Sequence, residues 1–166
     1  MNKSKLPENK VRDVGRVVVN FQLLEITIVR LIWIMAATDD NVGQRITACV
    51  PFSKLLDLLS AVFHYSVQAS SMVEKFDNLM SKARNVNQDR NRIVHSWWFT
   101  DLDGSSPSRL KITRKGSTDT EDIDMEALSV SLVQLTDDFS NFINELYDAK
   151  LILKKPGFSR ASPPHD

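Results

Sequence analysis

Apolar residues recur every three or four positions over the first part of the chain, which is the spacing of one face of an α-helix. The repeat runs through Val11, Val14, Val18, Phe21, Ile28, Ile32 and Met35 and is widened by Val17, Leu24 and Leu31. One position in the same rhythm holds Glu25, on the stripe or at its edge. The pattern therefore predicts a long packing helix from about residue 9 to residue 37, with one carboxylate close to its apolar face.

The same spacing predicts three more helices further along the chain. In the third helix the apolar stripe passes through Val86 and Ile93, and the position between them holds Arg90. Two helices thus each carry one charge, of opposite sign, close to where the spacing predicts an apolar side chain. The three helices are expected at about residues 53–65, from the Ser-rich break at 66–71 to about Trp97, and at about 125–151.

The segments between the helices follow other patterns. Residues 39–43 are turn formers, and an irregular connection is expected from there to Pro51. After the third helix the spacing changes to two, which predicts short strands at 98–101 and 110–115. The residues at 103–107 between them are turn formers. A small β-hairpin is therefore expected before the last long helix.

These elements predict an all-α fold class: an up-down bundle of three to four long helices with the small β-hairpin inserted before the last helix. At 166 residues the chain is expected to form one domain. The helical domain is expected at residues 9–152, after a flexible leader at 1–8 and before a disordered tail at 153–166.

Composition narrows the classes of function. Twenty-one basic and 21 acidic residues balance to zero net charge, which argues against a protein that coats nucleic acid through bulk charge. A local basic patch is compatible with that balance. The single Cys49 excludes an internal disulfide and a thiolate-rich metal site, and the sequence has no Gly-rich phosphate loop or metal-ligand cluster. We therefore expect neither a metal nor a cofactor.

The start of the sequence lacks the apolar core of a signal peptide. The most apolar run, Leu23 to Ala37, is interrupted by Glu25 and Arg30 and is shorter than the roughly 20 residues that a membrane span needs. We therefore expect this run to be a buried helix, and the protein to be cytoplasmic with no membrane contact.

Arg90 needs a partner if it lies on the apolar stripe, because a charge buried in a helical core costs several kcal/mol unless it is paired. Glu25 is the best candidate if the first and third helices are neighbours. Such a pair would fix the guanidinium, or it would only set the register of the two helices. In either case Glu25→Gln is expected to destabilise the fold or the site.

His95 lies five residues beyond Arg90, so on a helix it points about 140° away. Asn91 and His95 are four residues apart and share a face. Together with Arg84 and Gln88 they form a polar edge beside Arg90. Because Arg92 adds further positive charge, this edge suits a phosphate ligand, with Arg84, Gln88 and Arg92 as candidate RNA contacts.

The two central side chains suit RNA cleavage without a metal. Histidine can take or give a proton near neutral pH, and arginine offers a planar fork of donors whose charge does not titrate away. His95 could therefore act on the ribose hydroxyl while Arg90 stabilises charge on the phosphoryl transition state. The alternative is that His95 is an ordinary surface group at a helix end.

The segment Arg90-Asn91-Arg92-Ile93-Val94-His95 resembles the Arg-x4-His motif of the HEPN superfamily, in which a polar residue follows the arginine. Its position near the end of a long helix, the aromatic pair that follows it, and a long first helix with Glu25 make the match more specific. The resemblance covers the helical body, about residues 9–150, but only the motif matches residue by residue. Many HEPN proteins are small helical metal-independent RNases of toxin-antitoxin or anti-phage systems.

The resemblance implies specific roles. Arg90 and His95 would be the catalytic pair, Asn91 would support them, and two subunits would bring their motifs together in the cleft of a homodimer. RNA would be the substrate, and an antitoxin is a possible partner. The alternative function is that of a non-catalytic HEPN-like module that binds a nucleotide or a protein partner.

Overall fold

The computed structural model describes residues 7–100, 107–112, 118–119 and 123–152 of the chain. Within these residues the protein consists of five α-helices and three short strands. The fold is predominantly helical, as the spacing of apolar residues predicted. The elements are α1 (Glu8–Met35), α2 (Asp40–Thr47), α3 (Phe52–Ser66), α4 (Ser70–Val94), β1 (Trp97–Thr100), β2 (Pro107–Ile112), β3 (Thr118–Asp119) and α5 (Met125–Asp148).

The four long helices lie within a few residues of their predicted positions, and α4 ends at Val94, a few residues before the predicted end at about Trp97. Trp97 begins β1 and is paired with Leu110 of β2. The helix stops because His95 leaves the helical conformation, with φ −99° and ψ 12°, and the Ser96 hydroxyl donates a hydrogen bond to the carbonyl of Arg92. The motif therefore lies on the last turn of α4 and at its C-cap.

The short helix α2 occupies the segment that was expected to be irregular. The carboxylate of Asp39 accepts a hydrogen bond from the Val42 backbone N–H at 2.9 Å and so caps the helix. Aspartate is favoured both in turns and at helix N-caps, for the same reason that its side chain binds nearby backbone donors. Turn-forming residues alone therefore could not separate the two outcomes.

Helix α4 runs antiparallel to α3. The ion pairs between the two helices join Arg84 to Asp57 at 3.1 Å near one end and His64 to Asp77 at 3.1 Å near the other. As the residue number rises along α3, it falls along α4. The end of α4 that carries the motif thus lies beside the beginning of α3.

Helices α1 and α3 run in the same direction, whereas the predicted up-down bundle would have placed these two successive long helices antiparallel. Phe21 lies against Phe52, with ring centroids 4.7 Å apart, and Ile34 near the end of α1 lines the same pocket as Ser66 at the end of α3. The chain between them, which includes α2, returns along α1 before α3 begins. The chain therefore reverses direction twice between α1 and α3, and α3 starts in the same direction as α1.

The core lies between the four long helices and is centred on aromatic rings. Phe63 of α3 and Phe76 of α4 are fully buried and stacked, with centroids 3.8 Å apart. Phe142 of α5 lies 5.7 Å from Phe63. Helix α1 packs on this core mainly through contacts with α5 and α3. Its buried residues are Val17, Phe21, Leu24, Ile28, Leu31 and Ile32, so its first two turns are more exposed than the spacing predicted.

The strands form a small sheet in the order β1-β2-β3, in which each neighbouring pair is antiparallel. The turn predicted at 103–107 lies largely outside the described residues, as do residues 113–115 of the second predicted strand. The predicted tail at 153–166 and most of the predicted leader at 1–8 also lie outside them. Glu8, the last residue of that leader, is already in α1.

Helix α1 is long and apolar enough to cross a membrane by length and composition. One third of its most apolar stretch, 33%, is buried inside the protein. Core helices of soluble proteins and signal sequences near the N-terminus have the same length and composition. The cytoplasmic location therefore stays a prediction.

Candidate functional site

Arg90 lies at the edge of the helical core, close to the end of α4. Its side chain is half-buried and its guanidinium carbon lies 4.8 Å from the centroid of the Phe21 ring on α1. This distance is within the range of a cation–π contact. The Nε atom is buried and has no hydrogen-bond partner within the described residues. Position 90 on the apolar stripe therefore predicted the partial burial of this side chain correctly.

Asn91 holds the other side of the guanidinium. Nη1 of Arg90 donates to the Asn91 side-chain oxygen at 3.1 Å, and the Asn91 amide nitrogen donates to the Asn87 side-chain oxygen at 3.5 Å. Asn87 and Asn91 are four residues apart and face each other on one side of the helix. An amide ladder on α4 and an aromatic ring on α1 thus orient Arg90.

Glu25 approaches Arg90 without forming an ion pair with it. The carboxylate is half-buried and makes no salt bridge or hydrogen bond within the described residues. Burial raises the pKa of Glu25, and the positive charge of Arg90 lowers it by less. Arg90 is therefore an electrostatic neighbour of Glu25, whereas the direct contact on α1 is made by Phe21, one turn earlier.

Because burial raises the pKa of Glu25 more than Arg90 lowers it, Glu25→Gln is now expected to stabilise the fold rather than destabilise it. Because its pKa is raised in the folded state, ionisation of Glu25 costs stability above that pKa, and the cost disappears once the pH falls below the unfolded value of 4.5. At pH 7 the variant should unfold at a slightly higher temperature than the wild type, with a gain under about 1 kcal/mol.

Thermal unfolding at pH 7 and pH 4 tests this effect. The gain should shrink towards zero at the lower pH, where both side chains are neutral. Glu74→Gln, at an exposed position of α4 beyond its first turn, is the matched control. A loss of stability at pH 7 confined to the Glu25 variant would restore the interpretation of Glu25 as the essential partner of Arg90.

His95 lies at the C-cap of α4 and is exposed. Its backbone N–H donates to the carbonyl of Asn91 at 3.1 Å, which fixes the start of the turn that leaves the helix. The imidazole makes no hydrogen bond within the described residues. It is therefore accessible to a ligand or another subunit.

The predicted polar edge is only partly assembled. Arg84 is exposed and bonded to Asp57 of α3 at 3.1 Å, and Gln88 is exposed. Arg92 forms an ion pair with Asp89 at 3.5 Å. Two of the three candidate RNA contacts are thus engaged within the protein. The third, Gln88, faces solvent.

Lys54 is a cation of this region that the sequence did not single out. Its ammonium lies 3.3 Å from Asp57, the same carboxylate that Arg84 binds. Hydrogen bonds from Arg84 and Lys54 lower the pKa of Asp57. Since two cations meet one carboxylate, the start of α3 keeps one positive charge in excess beside α4.

Phe21 and Asn87 were also missed as parts of the site, although each carries a signal in the sequence. Asn87 stands four residues before Asn91, and Phe21 stands four residues before Glu25. Both spacings place the residues on a common helix face. The spacing does not show which residue of α1 faces Arg90.

No protein-family model, curated protein or solved structure matches the chain. The chemistry of the site therefore has to be interpreted from its own side chains. Within the described residues, no three His, Cys, Asp or Glu side chains are grouped so as to hold a metal ion. The side chains available are a fixed guanidinium, a supporting amide and an exposed imidazole.

Proposed function

We propose that the protein is a HEPN-like endoribonuclease that cleaves RNA without a metal. Arg90 stabilises the charge on the phosphoryl transition state, His95 acts as general acid or base, and Asn91 supports the guanidinium. The fold belonging to this proposal is a small helical bundle in which the strands at 97–100 and 107–112 form a hairpin before the last helix. The proposed setting is a toxin-antitoxin or anti-phage system in the cytoplasm.

The observation that carries the proposal is that Arg90 is held in one orientation without an ion pair to any described residue. A guanidinium fixed by Phe21 and Asn91 has lost most of its conformational freedom, yet no carboxylate forms an ion pair with it in the described residues. A preoriented cation without a bound counter-charge suits an anionic ligand, because no existing ion pair has to be broken. A purely structural arginine would be expected to end on a carboxylate.

We infer that a second subunit brings Arg90 and His95 together at one site. Arg90 points towards α1, whereas His95 stands exposed at the helix end. Their spacing of five residues predicts that the two groups diverge on a single chain. In a two-fold dimer, Arg90 of one subunit and His95 of its partner converge on one phosphate, and the symmetry makes two equal sites. We therefore include a homodimer in the proposal.

Cleavage of RNA in the presence of a chelator tests the function. Purified protein and its His95→Ala variant are incubated with a mixed-sequence RNA in EDTA, and products are resolved on denaturing gels. Loss of a general acid or base costs about 10²- to 10⁴-fold in rate. His64→Ala is the matched control, because His64 is exposed on α3 and paired with Asp77. Equal cleavage by all three proteins would refute the assignment.

The second candidate function is a non-catalytic HEPN-like module that binds a nucleotide or a protein partner. The ion pairs of Arg84 with Asp57 and of Arg92 with Asp89 favour it, because they leave fewer cations for a long RNA. Absence of cleavage by the wild type, together with binding of a mononucleotide that Arg90→Lys weakens, would support this candidate.

A further inference from the structure

A groove of about 440 Å³ lies between α1, α2 and the beginning of α3. One wall is the face of α1 that carries Glu25, Ile26, Val29 and Trp33, and Leu55 of α3 belongs to the opposite wall. The volume falls within the range of small-molecule sites, which are mostly apolar with a few placed polar groups. Here the acidic group is Glu25, accompanied by the uncharged side chains of Gln22, Gln44, Thr47 and Cys49.

The groove is elongated along α1. Trp33 lies eight residues after Glu25, which corresponds to about 12 Å along the helix axis. The intervening positions on this wall are Ile26 and Val29. A ligand that fills the groove would therefore have a polar head at Glu25 and a narrow apolar body that ends near Trp33.

The Trp33 end of the groove is rigid. A Cβ atom added at Gly43 of α2 would lie 2.6 Å from the Trp33 ring, so the helix backbone packs directly on the indole. The indole Nε1 donates to the Thr47 hydroxyl at 3.2 Å, and that hydroxyl donates to the Gly43 carbonyl at 2.7 Å. Such a preformed wall lowers the conformational entropy that a ligand must overcome on binding.

The Glu25 carboxylate accepts no hydrogen bond from the described residues. It is half-buried, and no hydrogen bond or salt bridge reaches it within the described residues. The pKa of Glu25 is raised because burial outweighs the attraction of Arg90. A cationic group that entered the groove would add a direct ion pair and a hydrogen bond to the more distant attraction of Arg90.

We propose that this groove binds a linear organic cation, with its ammonium or guanidinium head on Glu25 and an alkyl chain lying along Ile26 and Val29 towards Trp33. The length of the wall fits a chain of about six to eight carbons. The site does not depend on the proposed ribonuclease activity, since neither Arg90 nor His95 lines the groove.

The test uses hexylguanidinium as the probe, and the binding is followed by NMR through the indole N–H of Trp33. We expect Glu25→Gln to lower the affinity for the probe about tenfold, because a charge-assisted hydrogen bond is lost while the fold is retained. The uncharged hexylurea should bind the wild type with the weakened affinity. Butylguanidinium should bind more weakly than hexylguanidinium, by about threefold or more for each methylene removed.

Glu126→Gln is the matched control and should leave the affinity unchanged, because Glu126 lies on α5 and does not line the groove. Equal affinities for hexylguanidinium and hexylurea would overturn the proposal, as would equal binding by the wild type and the Glu25→Gln variant. Absence of any shift at millimolar probe would overturn it as well. Because no RNA is present, none of these outcomes bears on the nuclease assignment.

Discussion

Arg90→Lys should lower the rate of RNA cleavage about 10²-fold, the typical cost of losing one transition-state donor. The lysine keeps the positive charge beside Glu25 but loses the planar fork that Phe21 and Asn91 orient. A point charge cannot donate two parallel hydrogen bonds to a phosphate. The loss should therefore appear in kcat, while KM for RNA changes less.

Single-turnover cleavage of a labelled RNA measures this loss, and circular dichroism establishes that the variant is folded. Arg16→Lys is the matched control, because Arg16 is exposed on α1 and lies 3.8 Å from Asp13. Its rate should equal that of the wild type. If Arg90→Lys were as active as this control, the guanidinium would have no role in the chemistry.

Phe63→Ala should destabilise the fold by about 3–5 kcal/mol, the usual cost of removing a buried aromatic side chain. Phe63 is fully buried, stacks on Phe76 at 3.8 Å and lies 5.7 Å from Phe142. Its ring therefore joins α3 to α4 and α5. The cavity that the substitution leaves has walls on three helices, so it cannot close by a shift of one side chain.

Urea denaturation measures this loss as a shift of the midpoint. Tyr65→Ala is the matched control, because Tyr65 lies two residues later on α3 and is 89% exposed. Its stability should lie within about 0.5 kcal/mol of the wild type. Similar losses for the two variants would mean that Phe63 is not at the centre of the core.

The long helices could be predicted because their apolar faces repeat over many turns, and an error at one position does not erase the period. Helix α2 could not, because it is only eight residues long and is capped by Asp39, a residue type common in turns. The parallel course of α1 and α3 follows from the existence of α2. Missing one short helix thus reversed the predicted direction of α3.

In the candidate site, contacts within one helix could be predicted and contacts between helices could not. The stripe placed Arg90 near the core, because that statement concerns a single helix. The placement of Arg90 and His95 on different faces stays a prediction, since His95 leaves the helical conformation at the C-cap. The contacts of Arg90 with Phe21 and of Arg84 with Asp57 involve other helices. Spacing along one helix gives a face but does not identify the residue opposite it, which is why Glu25 was preferred to Phe21.

The central claim is that Arg90 of one subunit and His95 of the other form one cleavage site. Heterodimers of Arg90→Lys and His95→Ala subunits, isolated through two different tags, test it directly. One of the two symmetric sites in such a heterodimer is intact, so its activity should return to about half that of the wild type. Activity no higher than that of the two parent variants would contradict a site composed across the dimer.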